Sequence, residues 1–406
     1  MSRVRVYIKP FLDDGSYAPE FIEVTGDVVQ LGVISQAIDD SNYDVGTIRN
    51  GGVAITLRND HGFYNEADNI KSIFRYKRKD SLVKFTWDVR DFDLVCGFFT
   101  IPTPLGSEVE LFQGVLNEIS SVSDIDKQWA KFTVLGFESL LDGIEAPFSS
   151  INNGDLLSEI LYAALNQAPF TDFITVDSGN ISLGNDTTID DKSDWENETV
   201  GGVLKDLLLG ASSVFYLKDQ TAYVSARAPT GDVKYTFYGQ GSIQGVESII
   251  NVPKIRDGLN RVFNYWTWPE TTLRAKDDTS LQYYGIRKKQ FELSLINLSS
   301  TAKIQAMLDA NRTEFSFPKL ELELITPINY GTLALKILDR VSIDYPTIYT
   351  SSDGDILPRY GLSNYGAVRY PFGQWTLTLT TDTNFKIISR KVDPVKETII
   401  FGLREI

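Results

Sequence analysis

The 406-residue sequence contains one cysteine and one histidine. Cys96 alone cannot form an internal disulfide, and it excludes any metal or iron–sulfur site that needs two thiolates from one chain. In "DLVCGFF" it reads as a small buried apolar residue. A Ser/His/Asp or Cys/His nucleophile pair would have to use His61. That residue sits in the turn-like stretch "RNDHGFYN", and no Gly-x-Ser-x-Gly accompanies it. Bases are outnumbered, with 39 Lys and Arg against 54 Asp and Glu, a formal charge of -15 and a pI near 4.7. This argues against nucleic-acid binding by charge, which draws on clustered Lys and Arg releasing counterions from phosphates.

Long apolar runs are also missing. No segment reaches the roughly 18 apolar residues that span a membrane, and "MSRVRVYIKPFL" has neither a long apolar core nor a small-residue cleavage site. The expectation is a soluble protein made in a reducing cytoplasm, with no stable membrane insertion. No Walker sequence is present, and Gly239, Gly241 and Gly245 in "YGQGSIQG" lack the dinucleotide spacing. No short repeat, heptad or low-complexity tract is found.

Aromatic residues are plentiful: 23 Phe, 19 Tyr and 6 Trp make 12% of the chain. Flat rings pack well across neighbouring strands, so the composition leans towards β structure. Residues 1–150 show short alternating runs broken by turn residues, among them "VAITLR", "SLVKFTW" and "LFQGVLNEIS". That pattern predicts a small antiparallel barrel or sandwich, with Val83, Phe85 and Trp87 on one core face. Over 151–250 the period becomes helical. In "DLLSEILYAALNQAP" the residues Leu157, Ile160, Leu161, Ala164 and Leu165 recur at three-and-four spacing, with Asn153 or Asp155 near the start and Pro169 beyond the end. "TVGGVLKDLLLGASS" repeats this with Val203, Leu204, Leu207 and Leu208, Thr199 as N-cap and Gly210 as the stop. A hairpin, "SVFYLKDQTAYVSAR", turns at Asp219 and Gln220. Over 251–406 β patterning returns around one helix, "STAKIQAMLDANRTEF", capped by Ser300 or Thr301. Its clearest strands are "KLELELI" and "QWTLTLT". The fold class expected is mainly β (α+β), with two small β-barrel domains, 1–150 and 251–406, around an inserted α+β domain, 151–250.

Residues 171–200 hold eight acids (Asp172, Asp177, Asp186, Asp190, Asp191, Asp194, Glu196, Glu198) against Lys192 alone. A solvated loop is expected there; calcium binding stays open, without the central glycine of an EF-hand register. Carboxylate pairs for glycoside hydrolysis carry no distinguishing signal among so many acids. No cofactor and no catalytic residue is assigned.

The third region offers an order of motifs: "LNRVFNYW" with Asn260, Arg261 and Val262; "DDTSLQYYGIRKKQFEL" with Asp277, Ser280, Tyr284 and Gly285; the helix; "FPKLELELI"; "LKILDRVSIDYP"; and "FKIISRKVDPVKETIIFGLREI" with an Asp393-Pro394 turn. This order resembles the C-terminal half of bacteriophage tail hub proteins. "ITLRNDHGFYN", "SIFRYKRKDSLVKF" and "FTVLGFESLLDG" are similar in style to that family's N-terminal barrel, and the helical stretch to its middle domain. Leu338 stands where glycine is common, which leaves the turn before Asp339 in doubt. The resemblance implies a non-enzymatic virion component: a homotrimeric ring at the tail tip or baseplate whose two barrels per chain adapt a sixfold tube to a threefold tip. Implied partners are the distal tail protein ring, the tape measure protein and tail-tip spike or fibre proteins, with DNA passing through the channel without sequence-specific binding. Some tail-tip relatives carry an iron–sulfur cluster or a fused peptidoglycan hydrolase; one cysteine, and no further domain after Ile406, argue against both.

Two other readings compete. One is a hexameric distal tail or tube-like protein, given the Phe112-x-Gly114 strand. The other is a carbohydrate-binding or hydrolytic tail module using exposed Trp and Tyr such as Trp266 and Trp268, although large aromatics of this kind more often sit in cores or subunit contacts. Candidate subunit-contact residues lie in two basic runs, Arg287, Lys288 and Lys289, and Arg75, Lys77 and Arg78. As a strand, "YYGIRKKQFEL" puts Tyr284, Ile286, Lys288 and Gln290 on one face and Arg287, Lys289, Phe291 and Leu293 on the other. Charge on both faces predicts an exposed edge, an extended connector or a subunit seam.

Overall fold

A computed structural model describes residues 3–40, 45–60, 62–65, 71–76, 79–88, 95–96, 99–100, 108–117, 123–124, 127–192, 195–218, 220–228, 231–239, 248–251, 253–256, 261–269, 271–291, 300–350, 368–369, 375–379 and 383–406. The alternating runs of the first part become β1 (Val4–Lys9), β2 (Ile22–Glu23), β3 (Val28–Leu31), β4 (Ile34–Asp40), β5 (Val45–Asn50), β6 (Val53–Arg58), β7 (Leu82–Asp88), β8 (Val95–Cys96), β9 (Phe99–Thr100), β10 (Glu108–Leu116), β11 (Ser123–Asp124) and β12 (Lys127–Gly136). The middle carries α1 (Leu157–Leu165), α2 (Val200–Gly210), β13 (Ser213–Lys218), β14 (Thr221–Ala226) and β15 (Tyr235–Tyr238). The last part carries β16 (Lys254–Arg256), β17 (Tyr265–Thr267), β18 (Arg274–Lys276), α3 (Asp278–Tyr284), β19 (Lys288–Gln290), α4 (Thr301–Phe315) and β20 (Glu321–Pro327). It ends with α5 (Tyr330–Ala334), β21 (Arg340–Thr350), β22 (Val368–Arg369), β23 (Trp375–Leu379), β24 (Asn384–Asp393) and β25 (Thr398–Glu405). The chain is mainly β, as the aromatic content and alternation predict.

In the first sheet the order is β2-β1-β7-β10-β12-β6-β3, with β11 on β12. The predicted face of Val83, Phe85 and Trp87 is buried, and β1 lies antiparallel to it with Val6 opposite Phe85. Phe85 stacks on Phe112 at 5.9 Å. Burying a side chain of this kind contributes about 1.5–3 kcal/mol.

Strands β4 and β5 leave this sheet. β4 pairs antiparallel with β24 through Ser35 and Lys391, and β5 runs parallel to β13 through Gly46 and Val214. The chain then returns to the first sheet through Gly51 and Gly52. A Cβ on Gly51 would lie 2.2 Å from Ser35 Oγ, and one on Gly52 would lie 2.8 Å from Thr133 Cγ2. A side chain at either position would have to push these neighbours aside. One core therefore holds Val6 and Phe85 together with Ile34, Leu322 and Phe401.

The second sheet runs β14-β13-β5-β4-β24-β21-β23-β22, with β25 and then β20 and β16 on the far side of β24, and β15 on β21. Residues 248–251 bond to Tyr238 and Ile325 at its curled end. Closed barrels were expected; both sheets are open among the described residues, because no ladder joins their ends. In the first, β2 meets β1 at only Tyr7 and Ile8, and β3 slips register between Val28 and Gln30. Period-two alternation reports which face is buried and carries no information on closure.

Helix α1 buries all five predicted residues. Neither Asn153 nor Asp155 is its cap: Leu156 holds that position, and Asp186 accepts from the Ser158 N–H at 3.1 Å. On α2, Thr199 caps and the helix ends at Gly210 as predicted, with Ala211 as the C-cap and Ser212 turning at φ 49° beyond it. These helices pack with Phe137, Leu141 and, from the back of the first sheet, Leu82 and Val115. The acidic segment is more ordered than a solvated loop, since Ile174, Ile189 and Trp195 anchor it in that core. In the last part, α3 and α5 join the one helix predicted, where Ser300 is the N-cap without a side-chain bond. Leu338 adopts φ 70°, so the turn before Asp339 forms without glycine. It is held by Lys336 N–H to Asp339 Oδ2 at 2.8 Å and Leu338 N–H to the Ile387 carbonyl at 2.9 Å.

Candidate assembly edge

The basic run of residues 287–289 sits in a three-stranded sheet of order β18-β17-β19. β19 runs parallel to β17, with Tyr265 opposite Lys288 and Trp266 opposite Lys289, and among the described residues β17 is its only partner strand. Tyr284 belongs to α3, so the predicted strand begins after Gly285 rather than before it.

The short α3 is set by capping. Asp277 accepts from the Ser280 N–H at 2.9 Å, and Gly285 ends the helix at φ 68°, a conformation that glycine adopts without strain. Asn264, fully buried, ties this unit together. Its side chain donates to the Gly285 carbonyl at 2.8 Å and to Ser280 Oγ at 3.2 Å, and accepts from the Arg287 N–H at 2.9 Å. Ser280 Oγ also donates to the Ser316 carbonyl. The motif residues Asp277, Ser280 and Gly285 thus meet around Asn264, a residue that the sequence reading did not select.

This clamp fixes what faces outwards. Tyr283 is 60% exposed and Ile286 78%, on either side of Gly285, and Lys288 and Gln290 are exposed beside them. Arg287 and Lys289 are half-buried, and Phe291 is buried. The predicted parity therefore holds from Ile286 onwards. Lys289 Nζ lies 5.6 Å from the centre of the Phe263 ring. The result is a short edge strand that presents Lys288 and Gln290, flanked by the exposed Ile286 and by Tyr283 of α3.

Of the other basic run only Arg75 is described. Arg75 is exposed in the first region and stacks on Tyr76 at 5.4 Å; Lys77 and Arg78 lie outside the described residues, as do His61 and the Cys96 side chain. Trp266 and Trp268 are 0% and 5% exposed. They pack on Phe291 and, with Ile304, Met307, Leu308 and Phe315 of α4, form a third core. Burial is the commoner reading of such aromatics, and it removes the exposed pair that the sugar-binding alternative needs: these rings hold α4 to the small sheet. Among the described residues no three His, Cys, Asp or Glu side chains are grouped to hold a metal ion, and no helix is long and apolar enough to cross a membrane.

The whole architecture, from the first sheet to the β24–β25 hairpin, defines a class by fold: it is shared with phage tail proteins. The chain is similar to the tail protein from Neisseria meningitidis MC58, with a TM-score of 0.55 and 11% identity, over 99% of this chain and 95% of that one. It is similar to the prophage MuSo2 43 kDa tail protein from Shewanella oneidensis, with a TM-score of 0.54, 11% identity, and 99% and 97% of the two chains covered. Prophage tail protein gp18 from Listeria monocytogenes EGD-e aligns over 99% and 94%, with a TM-score of 0.51 and 10% identity. No protein-family profile matches the sequence, and no curated protein matches it.

Proposed function

We propose that the chain is a non-enzymatic structural subunit of a phage-type tail, placed at the tip or baseplate, that assembles as a homotrimeric hub ring. What carries the reading is the length of the fold match, 99% of this chain against 95% of a tail protein of similar size. The motif order in the last third supports it independently. The β19 edge, with Tyr283, Ile286 and Lys288, supplies a contact to a neighbouring copy. Such a ring meets the distal tail protein on its sixfold side and spike or fibre proteins below, and it surrounds the passage for the tape measure protein and DNA. The formal charge of -15 suits passage, because phosphate that is repelled slides and phosphate that is gripped stalls. A symmetry-resolved image of tails carrying a tagged copy tests this: three tags at the tip are expected, whereas six tags or tags along the tube would replace the hub with a distal or tube ring.

A further inference from the structure

A cavity of about 140 Å³ lies where β10 of the first sheet, β13, β4 and β24 come together. Its most unusual lining residue is Arg390 on β24, 6% exposed. The guanidinium donates to two neutral acceptors, Gln36 Oε1 at 3.3 Å and the Leu333 carbonyl at 3.2 Å. Its Nε is buried and has no hydrogen-bond partner. Burial pushes its pKa down to about 10. A buried charge is ordinarily paired, since an uncompensated ion in the interior loses its hydration for nothing in return.

We infer that this cavity is a binding site for a small oxyanion, held by the forked donors of Arg390. The space holds one such ion with waters, a single water taking about 30 Å³ of liquid volume. Guanidinium groups match oxyanions by presenting parallel N–H donors. Among the described residues, Lys218 and Lys336 also line the cavity, as do Glu110 and Glu138. The site stands apart from the β19 edge, and this inference does not depend on the proposed ring.

Titration calorimetry and thermal melting with inorganic phosphate test it, against sodium chloride at matched ionic strength. The wild-type chain is expected to bind one phosphate and to melt at a higher temperature in phosphate than in chloride. Arg390→Met should weaken phosphate binding roughly tenfold or more, the usual loss on removing a hydrogen-bonded charge. Lys218→Glu, at an exposed position where folding is little affected, should weaken it severalfold even if Arg390→Met does not fold. Equal melting in phosphate and chloride would overturn the inference. So would phosphate affinity unchanged by Lys218→Glu or surviving Arg390→Met.

Discussion

The junction around α4 and the edge at β19 lie close together in the last third of the chain and treat similar side chains in opposite ways. At the junction, charge is drawn inside around Glu314 and Glu321. Glu314 meets Lys386 at 3.5 Å and Lys319 at 3.1 Å, Glu321 meets Arg261 at 3.1 Å, and Arg227 and Arg404 lie 5.4 and 4.9 Å from the centre of the Phe315 ring. Arg227 also donates to Asn311 Oδ1 at 2.8 Å, so the network ties the middle of the chain to α4 and β25. At the edge, Ile286, Tyr283 and Lys288 are turned outwards by the Gly285 turn. One region stabilises the fold of the single chain; the other leaves Tyr283 and Ile286 exposed, at the surface proposed to meet a second copy.

Glu314→Gln should have the largest effect, because it strands the 2%-exposed Lys386 side chain without its counter-charge. Loss of one partner of a buried pair costs about 3–5 kcal/mol, which urea unfolding would register as a lower midpoint. The same carboxylate predicts a pH dependence. Burial by itself would raise its pKa, but Lys386, Lys319, Arg227 and Arg404 together hold it below its ordinary value of 4.5. A carboxyl depressed on folding contributes stability that is present above the unfolded value and lost as pH falls through the folded one. Melting temperatures from pH 6 downwards should therefore drop more steeply in the wild type than in Glu314→Gln; parallel curves would show that another group dominates acid unfolding.

Asn264→Ala comes next, at about 2 kcal/mol, since it leaves the Arg287 N–H and Gly285 carbonyl without their partner. Circular dichroism melts should show it, and exchange of the Arg287 amide should quicken. The smallest effect on folding belongs to the double change Ile286→Ser and Lys288→Glu, within about 0.5 kcal/mol as for exposed positions. Assembly should nevertheless fail in this variant. If it melts several degrees lower instead, the edge is part of the chain's own core and the contrast with α4 collapses.

The same contrast explains what the sequence made legible. Helical periods at Leu157–Leu165 and Val200–Gly210 and the strand face of Val83, Phe85 and Trp87 could be read directly, because burial of one face imposes a period. Closure could not, and neither could the passage of β4 and β5 into the second sheet, since pairing partners are chosen by contacts hundreds of residues apart, such as Gln36 with Arg390 at 3.3 Å. α3 had its signals in plain view, Asp277 three residues before Ser280 and Gly285 at the end, but the neighbouring basic run drew the reading towards a strand. Trp266 and Trp268 show the limit of composition: aromatic rings that bind sugars and rings that pack a helix are the same residues, and only their surroundings differ. Leu338 shows another. A leucine at φ 70° is strained, and here its buried side chain and the bonds around Asp339 hold the turn that glycine would make easily.

The proposed hub requires the β19 edge to join copies of this chain into a ring. Native mass spectrometry of the purified chain, alone and with Ile286→Ser and Lys288→Glu, tests it most directly. The account predicts a three-copy mass for the wild type and a single-copy mass for the folded variant; a six-copy wild type, or a variant that assembles as the wild type does, would contradict it.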